Sequence, residues 1–178
     1  MSMGALSKVW TLDQLHRLPD DGNKYELVHG ELLVTPAPAP SHEVVLTRLH
    51  NLLFPYVAAH DLGWIFRPRA VIRFEGSEVE PDLMVRLPPT NPKLDWEHHP
   101  MPILVVECTS RATRRRDYTI KRAFYRKAGI PEYWIVDRTS STIHTFRRDG
   151  EDVASDEMTW TPSSVAEPLR FRVADVFR

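Results

Sequence analysis

The sequence contains a single cysteine, almost no net charge and no long apolar run. Because Cys108 is the only cysteine, no disulfide can form within the chain, which suits a reducing compartment. The formal net charge of -1 excludes an overall basic surface, so any contact with nucleic acid must come from a local patch. No apolar run approaches the roughly 18 residues of a membrane span, and residues 1–10 lack the apolar core of a signal peptide. We therefore expect a cytoplasmic protein without membrane contact.

The length of 178 residues favours one domain over the whole chain, 1–178, with one substantial core. Hydrophobic residues at 42% and charged residues at 26% are the proportions of an ordinary globular protein. The 15 prolines cluster between the periodic segments, which indicates long ordered connections rather than disorder.

The first third of the chain predicts a helix, a hairpin and a second helix. Thr11 can cap a short helix over residues 11–18. Strand-forming residues flank a tight turn at His29-Gly30, which predicts a hairpin over residues 24–36. After a rigid PAPAP segment, residues 41–60 carry apolar side chains at helical spacing.

Two glutamates lie on the arms of this hairpin, and each needs its own explanation. In the first arm, Glu26 and Val28 point to the face opposite Tyr25 and Leu27. Glu31 begins the second arm. For glutamates on an early hairpin that could form a sheet edge, we favour exposure to solvent.

The rest of the chain predicts strands, one crossing helix and further strands. Residues 63–74 read as a long strand broken at Pro68, residues 79–87 as the next strand, and residues 87–100 as a proline-rich loop. The stretch 102–137 predicts an apolar strand, a helix from about 113 to 128 and a second apolar strand from 132. We expect an α/β domain with a mixed central sheet.

Three charged residues in apolar segments are hard to explain by packing alone. Asp82 begins one apolar strand, Glu107 ends another, and Lys121 lies on the following helix. At about 100° per residue, Lys121 shares the arc of Tyr118 and Tyr125 rather than that of the helix arginines. A buried carboxylate is costly unless a charge meets it, so the three side chains become candidates for a common site.

Two interpretations of Lys121 remain open. It can pair with Asp117 one turn earlier, an interaction worth about 0.2–0.5 kcal/mol. Alternatively, it reaches past the strand ends towards Glu107 and Asp82. The histidines of the second helix, at positions 42, 50 and 60, are too far apart to share a ligand, and we expect surface or packing roles for them.

Two carboxylates at neighbouring strand ends form a hard, oxygen-rich site that suits Mg²⁺ or Mn²⁺. A lysine beside them can orient a bound water and offset charge that develops on phosphorus. This set suffices for phosphodiester hydrolysis. The spacing of such common residues does not identify the site by itself.

Several motifs in the sequence also resemble those of a known family. Pro81-Asp82 followed by Glu107-Cys108-Thr109 resembles the signature of the PD-(D/E)xK nucleases. The run VECTSRATRRRDYTIKRAFYRKAGIPEYWIVD is similar to the Uma-type restriction endonucleases, as are KYELVHGEL and the helix that begins at Ser41. The similarity covers roughly residues 11–147. It implies a restriction-endonuclease-like fold, with a mixed central sheet flanked by helices and an added N-terminal hairpin, and a Mg²⁺-dependent endonuclease that hydrolyses DNA.

The resemblance also implies roles for individual residues. Asp82 and Glu107 become metal ligands, the backbone carbonyl of Cys108 a further ligand, and Lys121 the catalytic lysine. The superfamily lysine expected two residues after the glutamate is Thr109 here. Related families place this lysine on the following helix, which fits the inward position of Lys121.

The resemblance further suggests an acid of the hairpin as an accessory group near the metal. Glu26 is the favoured residue, and Glu31 competes for the role. Cys108 itself reads as a small buried residue rather than a nucleophile, because its strand is apolar and no histidine lies near it in sequence.

A run of four arginines lies between the apolar strand and the helix: Arg111, Arg114, Arg115 and Arg116. Charge runs are usually solvated, but this one adjoins the proposed metal site, so contact with DNA phosphates is an equal alternative. No segment resembles a base-reading helix, and the sequence predicts no base specificity.

Two other functions remain open. The chain could be a catalytically inactive nuclease fold that binds DNA or serves assembly, or it could hydrolyse a different phosphoester. For the DNA endonuclease we expect a homodimer or higher oligomer, because cleavage of both strands requires two active sites.

Overall fold

The computed structural model describes residues 9–89, 95–96 and 99–178. Parts of the predicted proline-rich loop, and the first eight residues, lie outside this range. The described strands are β1 (Lys24–Val28), β2 (Glu31–Thr35), β3 (Trp64–Phe66), β4 (Ile72–Phe74), β5 (Ser77–Val79), β6 (Leu83–Arg86), β7 (Leu104–Thr109), β8 (Glu132–Asp137), β9 (Thr142–Arg147), β10 (Gly150–Ala154), β11 (Glu157–Trp160) and β12 (Leu169–Arg172).

The described helices are α1 (Leu12–Leu15), α2 (Pro40–Ala59), α3 (Arg114–Arg116), α4 (Arg122–Lys127) and α5 (Ala174–Phe177). A π-helical segment, Asp117–Lys121, joins α3 to α4, so residues 114–127 form one continuous helical stretch. None of the helices in the described part of the chain is long and apolar enough to cross a membrane.

The central sheet has six strands in the order β10-β9-β8-β7-β6-β3. β7 and β8 are parallel, whereas the other neighbouring pairs are antiparallel, which confirms the predicted mixed sheet. A parallel pair needs a crossover connection, and the helical stretch 114–127 provides it. β7 and β8 are buried along their whole length, as expected for strands covered on both faces.

Helices cover the two faces of the central sheet, and the alternation of side chains along β7 decides which residues meet which helix. Val106 packs on the face of α2, in one apolar cluster with Leu49. Val105 packs on the other face, in a second cluster with Phe124 of α4. Glu107 is two residues after Val105, so it points to the same face as α4.

The predicted N-terminal hairpin is confirmed and belongs to a second sheet, ordered β2-β1-β5-β4. Its turn residues, His29 and Gly30, have φ of 48° and 82°, the left-handed values that a two-residue hairpin turn requires. β1 lies between β2 and β5, so it is an interior strand rather than a sheet edge.

The prediction of one long strand over residues 63–74 is wrong. The segment forms two short strands in different sheets: β3 is the edge strand of the central sheet and β4 is the edge strand of the second sheet. Pro68 lies between them, where a strand would lack a backbone donor. The predicted break is therefore the point at which the chain leaves one sheet for the other.

The first two helices are confirmed with shifted ends. Thr11 and Gln14 form a capping box, but α1 ends at Leu15 instead of residue 18. α2 runs through Pro55 to Ala59. The start of α1 is therefore as predicted, whereas α2 begins at Pro40, one residue early and without a side-chain cap.

Gly63 and Gly76 offer a test of backbone packing, because both have positive φ and only one is crowded. A Cβ at Gly63, with φ of +93°, would lie 2.1 Å from the carbonyl oxygen of Arg86, whereas a Cβ at Gly76, with φ of +72°, would meet no atom within 4 Å. We predict that G63A lowers the free energy of unfolding by about 3 kcal/mol or more, from left-handed strain plus overlap. G76A should cost about 1 kcal/mol. Equal losses in urea unfolding would contradict this prediction.

Candidate active site

Asp82 and Glu107 lie side by side, at the start of β6 and near the end of β7. The antiparallel register pairs Leu83 with Val106, so the next position along each strand brings the two acids together. The backbone N–H of Cys108 donates to Asp82 Oδ2 at 2.9 Å. Both carboxylates are buried, with 6% of Asp82 and 2% of Glu107 exposed. The structure therefore brings together the two acids singled out in the sequence.

Lys121 is also in this cluster. Its Nζ lies 2.8 Å from Glu107 Oε1 and 2.8 Å from Glu26 Oε1. The inward arc predicted for Lys121 is confirmed, since the side chain is buried and Tyr125 from the same arc donates to Glu107 Oε1 at 2.6 Å. Within the described residues, the ion pairs of Lys121 are with these two glutamates and not with Asp117.

The segment that carries Lys121 is a π-helix, which sequence periodicity did not predict. It runs from Asp117 to Lys121, and the side chains at both of its ends are buried. The carbonyl oxygen of Asp117 accepts a hydrogen bond from Tyr133 of β8 at 3.1 Å. Single π turns inside α-helices often occur at functional sites, and this one directs an acid and a lysine into the same interior.

The expectation that Glu26 faces solvent is wrong. Its side chain is completely buried on the interior strand β1. Oε1 accepts from Lys121 and, at 2.8 Å, from the backbone N–H of Glu80. Oε2 is buried and has no hydrogen-bond partner among the described residues. Glu31 is exposed, as expected, so the hairpin contributes Glu26 and not Glu31 to the cluster.

Two members of the site were missed in the sequence. Lys24 Nζ donates to Asp82 Oδ1 at 2.9 Å and to the carbonyl of Glu80 at 3.0 Å. His42 Nε2 lies 3.1 Å from Asp82 Oδ2, whereas the sequence favours a surface or packing role for it. A signal for Lys24 was available, since it lies two residues before Glu26 and so shares its face of β1.

Burial and neighbouring charges shift the pKa values of the two central acids in opposite directions. For Asp82 burial favours the neutral form, but the charge of Lys24 and the hydrogen bond with His42 outweigh it and hold the pKa well below its usual range. Burial raises the pKa of Glu107 to about 7, and the charge of Asp82 adds to the effect although Lys121 opposes it. Adjacent acids are expected to titrate apart in this way.

For two further groups of the cluster, the surroundings favour the charged form. Burial disfavours the ammonium of Lys121, but Glu107 and Glu26 outweigh burial and raise its pKa. Burial also opposes ionisation of Glu26, yet Lys121 and Lys24 lower its pKa. The result is a buried network of alternating opposite charges.

The donor set fits a hard divalent cation. Asp82 and Glu107 offer carboxylate oxygens, and Glu26 Oε2 is a further buried oxygen without a partner among the described residues. No group of three or more His, Cys, Asp or Glu side chains within the described residues forms a metal cage. Mg²⁺ does not need one, because it usually binds through one or two carboxylates and keeps several waters. A cation on Asp82 would share this carboxylate with Lys24.

A cleft of about 830 Å³ lies over the cluster. One wall contains residues 36–39 of the PAPAP segment, and Asp82, Glu107 and Lys121 are among the lining residues. Five further cationic side chains line it: Lys24, Arg67, Arg69, Arg116 and Arg138. The same lining also contains the acids Glu43, Glu80 and Asp117, so its six lysines and arginines exceed its five acids by one.

The four arginines of the predicted phosphate-binding run are not equivalent. Arg116 lines the cleft and donates to the carbonyl of Val34 at 2.9 Å and to the hydroxyl of Thr35. Arg114 pairs with Asp137. Arg111 and Arg115 are exposed, and their guanidinium groups have no ion pair or hydrogen bond within the described residues. Arg111, Arg114 and Arg115 lie outside the cleft lining.

Cys108 and Thr109 have structural positions. Cys108 is buried, and burial raises the pKa of its thiol, so the thiol is not activated as a nucleophile. Thr109, at the position of the superfamily lysine, lies with Oγ1 3.2 Å from Oγ1 of Thr113. It links the end of β7 to the residues that precede α3.

The mixed sheet, the two acids at neighbouring strand ends and the lysine on the crossing helix define a restriction-endonuclease-like α/β fold. The Uma2 family, described as "Putative restriction endonuclease", matches residues 12–174. Because this match covers most of the chain, the protein belongs to the Uma2 family. The predicted family is confirmed, and membership supports a nuclease function.

A solved structure agrees with the fold. The chain is similar to a protein from Anabaena variabilis described as "a putative nuclease belonging to DUF820", with a TM-score of 0.75 and 19% sequence identity. The similarity covers 94% of this chain and 97% of that chain. At this identity it shows the fold alone. The comparison with curated proteins gives no match.

The buried network predicts a large loss of stability when its lysine is removed. Lys121→Met would leave Glu26 and Glu107 buried without their cation, and we expect a loss of about 3–5 kcal/mol. The control Lys127→Met removes an exposed pair with Glu75 and should change stability by less than about 1 kcal/mol. Urea unfolding measures both; a Lys121→Met protein as stable as the wild type would refute the pairing.

Proposed function

We propose that the protein is a Mg²⁺-dependent endonuclease, also active with Mn²⁺, that hydrolyses phosphodiester bonds in DNA. The observation that carries this proposal is the Lys121 amine 2.8 Å from Glu107, whose neighbour on the adjacent strand is Asp82. Membership of the Uma2 family supports a nuclease, and the cleft cations suit a polyanionic substrate.

Asp82, Glu107 and the backbone carbonyl of Cys108 would hold the metal ion. A bound divalent cation polarises a phosphoryl oxygen and lowers the pKa of a bound water. Tyr125 and Lys121 both donate to Oε1 of Glu107, so Oε2 is the oxygen of this carboxylate that would be available to a metal ion. Hydrogen bonds to Oε1 thus orient the Glu107 carboxylate and leave Oε2 without a protein donor among the described residues.

Lys121 is the proposed catalytic lysine. Its raised pKa keeps it protonated, so it acts as a fixed positive charge that can donate to a water or to a phosphate oxygen as negative charge develops. Two glutamates hold its amine in place. Glu26 is the proposed accessory acid, because its unpartnered Oε2 can accept a hydrogen bond from a water in the site.

The substrate contacts are proposed from charge and position. Arg116 lines the cleft, and the exposed Arg111 and Arg115, with Arg114, lie at the start of the helical stretch beside it. We assign these four arginines to DNA phosphates, which gives affinity without base specificity. A homodimer in the cytoplasm completes the proposal, because two sites are needed to cut both strands.

One observation favours the inactive DNA-binding module as the second candidate. Both oxygens of Asp82 already accept hydrogen bonds, from Lys24 on Oδ1 and from Cys108 N on Oδ2, with His42 also at Oδ2. A non-catalytic protein could keep Asp82 for this network alone. Retained DNA binding without cleavage in Mg²⁺ or Mn²⁺ would select the second candidate.

The first test of the proposal is plasmid nicking with Mg²⁺ or Mn²⁺. Asp82→Asn and Glu107→Gln should each lower the nicking rate at least about 100-fold, because a metal ligand worth several kcal/mol is lost. Glu26→Gln should also be slower, whereas Glu31→Gln, the exposed glutamate of the same hairpin, should match the wild type. Circular dichroism confirms that each variant is folded. Nicking that persists in Asp82→Asn and Glu107→Gln would exclude this site.

The second test is metal linkage without any substrate. At a Mn²⁺ concentration about ten times its dissociation constant, binding to the folded state should add about 1.4 kcal/mol of stability. For a domain of this size that corresponds to a rise of about 3–6 °C in the melting temperature. Asp82→Asn should abolish the rise, and Glu31→Gln should keep it. A wild-type melt that Mn²⁺ leaves unchanged at saturating concentration would contradict the ligand assignment.

A further inference from the structure

The two lysines of the site differ in exposure and in the number of carboxylates that their amines contact. The Lys121 side chain is 2% exposed and its amine contacts two glutamates. The Lys24 side chain is 16% exposed, and its amine contacts one carboxylate oxygen of Asp82 and the carbonyl of Glu80. An ammonium has three donors. Within the described residues each amine therefore keeps one donor that no protein group accepts, but Lys24 is the more exposed of the two lysines.

We propose that Lys24 is a second lysine that contacts the substrate, with its ammonium bound to a phosphate of the strand in the cleft. This inference rests on the proposed nuclease function and adds a residue to it. Lys121 stays in the buried network, and Lys24 carries the positive charge to the surface of the cleft.

The position of Lys24 on the hairpin favours this role. It is the first residue of β1 and pairs in register with Thr35, the last residue of β2. The chain continues from Thr35 into residues 36–39, which line the cleft together with Lys24 itself. Arg116 donates to Thr35 and holds this end of the hairpin. The hairpin thus carries Glu26 in the interior and Lys24, on the same face, at the cleft wall.

Asp82 does not depend on Lys24 for all of its partners. Its Oδ2 accepts from the Cys108 N–H at 2.9 Å and lies 3.1 Å from His42 Nε2. These contacts hold the carboxylate in place when the ammonium turns away from Oδ1. A divalent cation on Asp82 would repel the Lys24 ammonium, whereas a phosphate would attract it. The Lys24 ammonium can therefore move from the Asp82 carboxylate to a phosphate within the same cleft.

DNA binding in EDTA tests the proposal without any turnover. In fluorescence anisotropy with a labelled oligonucleotide, Lys24→Met should bind about tenfold more weakly than the wild type. The slope of log affinity against log salt should fall in magnitude by about 0.9, as for one lost phosphate contact. Lys24→Arg should restore both values. Lys127→Met, an exposed lysine outside the cleft lining, should leave both unchanged.

Calorimetric titration with Mn²⁺, without DNA, gives a second readout. Lys24→Met should bind Mn²⁺ more tightly, because a cation that competes for Asp82 is removed, and Lys127→Met should bind it as the wild type does. Weaker Mn²⁺ binding by folded Lys24→Met would overturn the proposal. If Lys24→Met does not fold, Lys24→Gln keeps a donor for Asp82 while removing the charge, and the same expectations apply.

The outcomes separate this proposal from the nuclease function on which it rests. A structural lysine would lower the melting temperature of Lys24→Met and leave DNA affinity and the salt slope unchanged; that result overturns the role of Lys24 alone. A wild-type protein that cleaves DNA while Lys24→Met binds it equally well also overturns only the role of Lys24. A wild-type protein that neither binds nor cleaves DNA overturns both proposals.

Discussion

The fold depends on a buried ion network around Lys121, because this network joins three parts of the chain. Glu107 comes from the central sheet, Lys121 from the π segment of the crossover, and Glu26 from the N-terminal hairpin. Each of these charges would be destabilising if it were buried alone. The hairpin, the sheet and the crossover must therefore dock together, and the same contacts that hold them also assemble the candidate active site.

Asp82 and Glu107 can lie side by side because their electrostatic surroundings differ. Lys24 and His42 hold the pKa of Asp82 low, whereas burial raises the pKa of Glu107 to about 7. Asp82 is thus stabilised as an anion by its neighbours. The positive charge around Glu107 does not fully offset the cost of ionising a buried carboxylate. A divalent cation held by these residues would supply that charge.

The parts of the site that follow from local pattern were predictable, and the parts that follow from docking were not. The acid at the end of an apolar strand and the helical arc of Lys121 pointed to Glu107 and Lys121, which the structure brings together. The burial of Glu26 was missed, because periodicity tells which face a residue takes but not what covers that face. The same reason explains why residues 63–74, with the pattern of one strand, divide between two sheets. The π turn at 117–121 leaves no periodic signal of its own.

The cations that line the cleft also could not be identified from their positions in the sequence. The contiguous run of arginines stands out in the sequence, yet only Arg116 of that run lines the cleft. The other cleft cations, Lys24, Arg67, Arg69 and Arg138, come from three other segments, where none of them stands out. Folding brings them together beside the acids of the same lining, so the cleft has six lysines and arginines against five acids in a chain of net charge -1. The proposed affinity for phosphate therefore depends on the local placement of these side chains and not on the composition of the chain.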